Sequence, residues 1–139
     1  MALSASKLKV GDTHTERVVD NLSRTQLVQY AGASGDYNPL HTDEVYSVHD
    51  GYKGVFAHGM LTMGLTGKML TNWVGDARLK TFGVRFTNQV WPGDTLDSTA
   101  TVAAVRQENG ERLVDLTIST VNQDGKEVVA GHATAKVDP

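Results

Sequence analysis

The chain has 139 residues, of which 40% are apolar and 21% charged, with a formal net charge of −3 and no cysteine. A domain of this length can bury a core without disulfides, and the lack of cysteine excludes a zinc–thiolate site. The basic residues form no run or stripe, which argues against nucleic-acid binding. The N-terminus lacks an apolar stretch of signal-peptide length, and no segment approaches the ~20 apolar residues of a membrane span. We therefore expect one soluble, cytoplasmic domain over residues 1–139.

The first part of the chain predicts a strand and two short helices. Thr13 to Val19 contains enough β-forming residues for a short strand. Ser23 and Gln26 have the spacing of a capping box, which begins an amphipathic helix that should end within Gly32 to Gly35. A further helical turn is predicted from Asp43 to Ser47.

The segment from His58 to Val74 predicts a long helix. Its apolar residues occupy most of the helix circumference, which is typical of a buried helix. Gly59, Gly64 and Gly67 each lower the helix propensity by up to ~1 kcal/mol at an interior position. The expected compensation is the close approach of a sheet backbone.

After this helix, apolar residues alternate with a period of two, which indicates antiparallel strands. The alternating sets are Phe82, Val84 and Phe86; Leu96, Ser98, Ala100, Val102 and Ala104; Val114, Leu116 and Ile118; and Val129, Ala133, Ala135 and Val137. Asn109-Gly110 and Asp124-Gly125 predict hairpins with type I′ turns, which need a positive φ at both central residues. A helix followed by such a meander predicts an α+β domain whose sheet curls around the helix. Because its edges would be exposed, we expect a dimer.

The loop from Ser34 to His41 carries the strongest chemical signal, because Asp36 and His41 lie five positions apart on a segment that cannot be regular helix. Pro39 lacks an amide hydrogen and biases Asn38 toward an extended backbone. Both side chains can therefore face a common point and accept hydrogen bonds from one water. The simpler interpretation is that Asp36 and Asn38 are turn residues and that His41 is a partly exposed histidine.

A metal site is a weaker interpretation of the same residues. Asp36, His41 and His58 nominally supply three ligands, but no helical histidine pair has metal-binding spacing. We therefore predict no metal. The other histidines, at positions 14, 49 and 132, have no partner motif and are interpreted as ordinary residues.

The segment from Tyr30 to Asp43, YAGASGDYNPLHTD, resembles the signature of the MaoC-like, (R)-specific enoyl thioester hydratases. Ala57 to Leu61 is similar to the start of the central helix in that family, and Trp91 to Leu96 to a turn that follows its first long strand. Within the family, Ala57 to Gly64 and Trp73 to Asp76 look most like the catalytic β-subunit of actinobacterial (3R)-hydroxyacyl-ACP dehydratases. The resemblance implies a hot dog fold, usually dimeric, with an antiparallel sheet wrapped around a long central helix.

The resemblance also implies a hydro-lyase of fatty acid metabolism. It would hydrate trans-2-enoyl thioesters of CoA or ACP reversibly to (3R)-hydroxyacyl thioesters, without a cofactor. Asp36 and His41 would activate the water and return a proton, and the amide of Gly59 would stabilise negative charge on the thioester oxygen. The resemblance implies substrate-binding roles for Asn38, His58 and Met60. Other roles stay open: Asn38 can orient the loop or the water, the His58 side chain can cap the helix or hydrogen-bond the loop, and Met60 can belong to the core. Where some members carry a serine two turns into the helix, this chain has Thr66 and Gly67.

The partner implied by the resemblance is a second copy of the chain or a paralogous hot dog subunit. One alternative function is a non-catalytic subunit that shapes the acyl tunnel, against which the intact pair of Asp36 and His41 argues. Another is an acyl thioesterase that directs water at the carbonyl carbon, although the run from Gly35 to His41 favours hydration. The sequence leaves open the acyl chain length, the carrier, the partner and the direction of the reaction.

Overall fold

A five-stranded antiparallel sheet dominates the structure, which is a computed structural model that describes residues 2–139. In chain order the strands are β1 (Thr13–Val19), β2 (Leu79–Phe86), β3 (Leu96–Glu108), β4 (Glu111–Val121) and β5 (Glu127–Val137). They lie side by side in the order β1-β3-β4-β5-β2. The helices are α1 (Arg24–Ser34), α2 (Glu44–His49) and α3 (Gly59–Val74), with 3₁₀ turns at Ala5–Lys7 and Pro39–His41.

The central helix α3 packs one side against the sheet and forms the core with it. Its buried residues are Leu61, Thr62, Thr66, Met69, Leu70 and Val74. They meet inward-facing side chains of β3, β4 and β5, including Ala100, Leu116 and Ala133. An antiparallel sheet wrapped around one long helix is the hot dog fold, so that prediction is confirmed.

The prediction that α3 is buried around most of its circumference is too broad. Met60, Gly64, Lys68 and Asn72 are exposed in the chain. They lie four residues apart and therefore share one face of the helix. The number of apolar residues in the segment did not reveal this narrow exposed stripe.

The predicted reason for the helix glycines is also wrong. A Cβ atom on Gly59 would lie 3.0 Å from the ring of Phe86, and one on Gly67 would lie 3.1 Å from the ring of Phe82, whereas Gly64 has nothing within 4 Å. The neighbours are aromatic side chains of β2, not backbone. Alternating side chains of a strand reach the helix before its main chain does, because they stand roughly perpendicular to the sheet.

One of the two predicted hairpin turns is confirmed. Asn109 and Gly110 have φ values of 50° and 79°, as a type I′ turn requires. At the second hairpin only Gly125 has a positive φ, of 75°. The Asn122 side chain accepts hydrogen bonds from the amides of Asp124 and Lys126, both at 3.0 Å, and so stabilises a longer loop. The hairpin is therefore present, but its predicted turn type is wrong.

At the start of α1 the predicted N-cap is confirmed, but the reciprocal bond of the capping box, from the Gln26 side chain, is absent among the described residues. The Ser23 hydroxyl accepts from the amide of Gln26 at 3.0 Å, as a helix N-cap does. α1 ends at Gly35, whose left-handed φ of 77° favours glycine. α2 extends slightly beyond the predicted turn. Among residues 2–139, no helix is long and apolar enough to span a membrane.

Candidate active site

The loop between α1 and α2 is held in shape by its own polar side chains. The Asp36 carboxylate accepts from the amide of Asn38 at 3.2 Å, and the Asn38 side-chain oxygen accepts from the amide of Leu40 at 3.0 Å. Asn38 thereby caps the 3₁₀ turn that carries His41. The simpler interpretation of both residues as turn formers is thus confirmed. The second carboxylate oxygen of Asp36 has no hydrogen-bond partner among the described residues.

His41 is held in one tautomer by a backbone carbonyl. Its Nδ1 lies 2.7 Å from the Phe56 carbonyl oxygen, which can only accept, so Nδ1 carries the hydrogen. In the neutral ring Nε2 then has a free lone pair, as a general base requires. Phe56 is itself fixed, because its amide donates to the Leu40 carbonyl at 3.3 Å. Nothing in the sequence pattern indicated this role for Phe56.

His58 lies beneath the loop with only 1% of its surface exposed. Its Nε2 donates to the Asp36 backbone carbonyl at 3.1 Å. Its ring stacks on that of His41, with centroids 3.9 Å apart and planes 27° apart, and meets the edge of Tyr30 at 4.8 Å. Burial lowers the pKa of His58, and the neighbouring His41 lowers it further, while the bond to the Asp36 carbonyl opposes both effects.

The loop and α3 together bring three predicted site residues into one cluster. A carboxylate oxygen of Asp36 and ring nitrogens of His41 and His58 lie within 4.8 Å of one another. These are the three residues that nominally supply metal ligands. However, His41 Nδ1 and His58 Nε2 are already engaged with backbone carbonyls, so each ring has only one nitrogen left for an ion. The absence of a metal remains a prediction.

Gly59 is the first residue of α3, where the helix dipole places partial positive charge. No group within residues 2–139 accepts a hydrogen bond from its amide. A cavity of about 380 Å³ adjoins this end of the helix. It is lined by Phe56, Ala57, Gly59, Thr62, Phe86, Thr87, Asn88, Gln89, Val90 and Val128.

The remaining predicted contacts are less well supported by their positions. Met60 is 56% exposed and, like Asp36 and His41, does not line the cavity. The buried side chain of His58 offers almost no surface to a substrate. Phe86 was not predicted as a site residue, but it is 51% exposed and its ring covers Gly59. The period-two pattern that includes Phe86 predicted only that it lies on a strand.

The fold and this cluster define a hydratase-like hot dog domain, and comparison with known proteins identifies the family. The family described as MaoC like domain matches residues 6–124, so the chain belongs to it. The unliganded R-hydratase PhaJ1 of Pseudomonas aeruginosa has a similar structure, with a TM-score of 0.87 and 28% sequence identity; the match covers 99% of this chain and 86% of that chain.

Two curated relatives carry names of the same kind. A probable enoyl-CoA hydratase 2 of Dictyostelium discoideum is 37% identical over 79 residues, which are 55% of this chain and 27% of that protein. The 3-hydroxyacyl-thioester dehydratase Y of Mycobacterium tuberculosis is 32% identical over 91 residues, which are 63% of this chain and 31% of that protein. The chain thus spans less than a third of the length of either relative.

Proposed function

We propose that the chain hydrates trans-2-enoyl thioesters to (3R)-hydroxyacyl thioesters and catalyses the reverse dehydration. The observation that carries the proposal is the tautomer of His41. Its Nδ1 donates to Phe56, so Nε2 is left as an acceptor, and a ring nitrogen of His41 lies within 4.8 Å of a carboxylate oxygen of Asp36. The names of the hydratase and dehydratase relatives support the same reaction class.

In the proposed mechanism, one water lies between His41 Nε2 and the free carboxylate oxygen of Asp36. The water oxygen bonds to C3 of the enoyl group while its proton passes to the acid–base pair. The pair then returns a proton to C2, so that it ends in its starting state. Because one compact pair handles both protons, water adds to a single face of the double bond.

The thioester oxygen gains negative charge as C3 is attacked. The free amide of Gly59, at the positive end of α3, would donate to this oxygen. The loss of one such donor costs about 3 to 4 kcal/mol in comparable sites. Gly59 would therefore account for a large share of the rate enhancement.

A hydration assay tests this proposal directly. Purified protein is mixed with crotonyl and longer enoyl thioesters of CoA and of ACP, and the loss of conjugated-enoyl absorbance is followed. Chiral analysis of the product tests the (3R) configuration, and comparison of the carriers tests the finer activity. Release of free thiol without hydration would instead indicate a thioesterase. His132→Ala, at an exposed histidine of β5, is a matched control that should retain full activity.

We also propose that the chain works as a dimer. β1 and β2 form the two free edges of the sheet, and such edges are commonly covered by a partner. The partner is a second copy or a paralogous hot dog subunit, as the β-subunit resemblance suggests. Mass in solution distinguishes a homodimer from a monomer. Weak activity that is restored by a paralogous subunit would indicate a heterodimer. The cytoplasmic location expected from the sequence stays a prediction.

A further inference from the structure

We propose that His58 is a positioning residue, whose buried and neutral imidazole holds Asp36 and His41 in register with the Gly59 amide. This inference rests on the proposed function. It assigns His58 neither a substrate contact nor a proton transfer. Its exposed fraction of 1% argues against a substrate contact by the side chain.

The geometry gives His58 a place between all three parts of the proposed machinery. Its Nε2 holds the backbone of Asp36 at 3.1 Å, and its ring stacks on His41 at a centroid distance of 3.9 Å. It is also the residue before Gly59, at the N-cap of α3. One side chain therefore connects the loop that supplies the acid–base pair to the helix end that supplies the amide.

The other connections between the loop and this segment do not reach Asp36. Two further hydrogen bonds join them within the described chain: the Phe56 amide donates to the Leu40 carbonyl, and His41 donates to the Phe56 carbonyl. Both fix the His41 end of the loop. At the other end, Ser34 and Asn38 hold Asp36 within the loop, whereas the bond from His58 ties Asp36 to the segment before α3. Loss of this bond would let the Asp36 carboxylate shift relative to Gly59 while His41 stays in place.

The surroundings of His58 also fix its charge. Nε2 carries the hydrogen that is donated to Asp36, so protonation would have to occur at Nδ1, which is buried without a partner among residues 2–139. A second proton there would lack an acceptor and would lie beside His41. The facing titratable groups are Tyr30 of α1 and Asp36 and His41 of the loop. Because His58 stays neutral, His41 is the one of these two histidines that can take the proton from the attacking water.

Matched substitutions separate this role from simple core filling. His58→Gln places an amide N–H near the position of Nε2, whereas His58→Asn, one methylene shorter, cannot reach the Asp36 carbonyl. We expect His58→Asn to lower kcat for hydration roughly 100-fold, the scale of an ~1 Å misplacement, with little change in KM. The kcat of His58→Gln should be at least about tenfold higher than that of His58→Asn, because glutamine can restore the hydrogen bond. Equal kcat values for the two folded variants, or a loss confined to KM, would overturn the proposal.

A measurement on the unmodified protein covers the case in which neither variant folds. ¹⁵N NMR of the histidine rings reports the tautomer and the charge of His58 directly. Because burial lowers the pKa of His58, we expect the neutral Nε2–H form to persist when the pH falls from 8 to the ordinary histidine pKa of about 6.5. A charged ring, or a hydrogen on Nδ1, would overturn the proposal. If the protein hydrates no thioester, the proposed function fails, whereas this ring assignment is tested independently.

Discussion

Gly59→Ala is the smallest change that tests the proposed oxyanion donor. A Cβ at this position would lie 3.0 to 3.1 Å from three carbons of the Phe86 ring. That ring is half exposed and can turn aside, and the φ of Gly59 is not in the left-handed region, so the fold should tolerate alanine. The new methyl group would nevertheless stand beside the amide that receives the thioester oxygen. We expect kcat/KM to fall by about 10²- to 10³-fold, the cost of losing one oxyanion-hole donor.

The control for this variant is Gly64→Ala, on the exposed stripe of the same helix. Its Cβ would meet nothing within 4 Å, so activity should not change and the free energy of unfolding should rise by up to ~1 kcal/mol. Hydration kinetics and urea unfolding are measured for both variants. If folded Gly59→Ala keeps kcat/KM within about twofold of the original enzyme, the proposed close approach of the thioester oxygen to this amide is wrong. If Gly59→Ala recovers when Phe86 is also changed to alanine, the displaced ring and not the blocked amide caused the loss.

Three further predictions concern the acid–base pair, the metal and the pH dependence of stability. Asp36→Asn and His41→Ala should each lower kcat by at least about 100-fold in protein that unfolding curves show to be folded, and near-normal turnover in either would refute the mechanism. Exhaustive chelation should leave activity unchanged, and a loss that zinc restores would favour a metal at the cluster. The hydrogen bond from the guanidinium of Arg106 lowers the pKa of Asp115. The ionised carboxylate therefore stabilises the fold above the ordinary carboxyl pKa, and this stabilisation is lost as the pH falls below about 4. In urea unfolding, the free energy of unfolding of Asp115→Asn should therefore fall less on acidification than that of the unmodified protein. The same dependence on pH in both proteins would contradict this role of Asp115.

The accuracy of the sequence analysis depended on how local each signal was. The N-cap at Ser23 and the turn at Asn109 were predicted because each is defined by a few adjacent residues with strong backbone preferences. The hairpin at Asp124 had the same kind of signal, but its predicted turn type is wrong because the side chain of Asn122 stabilises a longer loop. One long helix followed by alternating strands predicted the hot dog fold. The predicted meander is correct for β3, β4 and β5 but wrong for β2, which pairs with β5 because strand pairing depends on contacts distant in sequence.

The site was predictable only in part, because its residues act through contacts that are distant in sequence. The loop chemistry of Asp36 and His41 was visible, since it lies within one short segment. The tautomer of His41 was not, because it depends on a carbonyl fifteen residues away, at Phe56. The buried position of His58 was equally hidden, since a histidine before a helix can point toward solvent, substrate or core. Only the packing of α3 against the loop decides among these.

The hydroxyl groups beneath the helix show the same limit. Ser98 alternated with apolar residues, so the sequence placed it correctly on the inner face of β3. Its partners came from two other elements: the Thr120 hydroxyl lies 2.7 Å from that of Ser98 and 2.8 Å from that of Thr66, which donates to the Thr62 carbonyl at 2.9 Å. Each hydroxyl can thus be satisfied within a fully buried cluster. Such a cluster has directional bonds that apolar packing lacks, so it fixes how far α3 lies along the sheet and, with it, where Gly59 meets the loop.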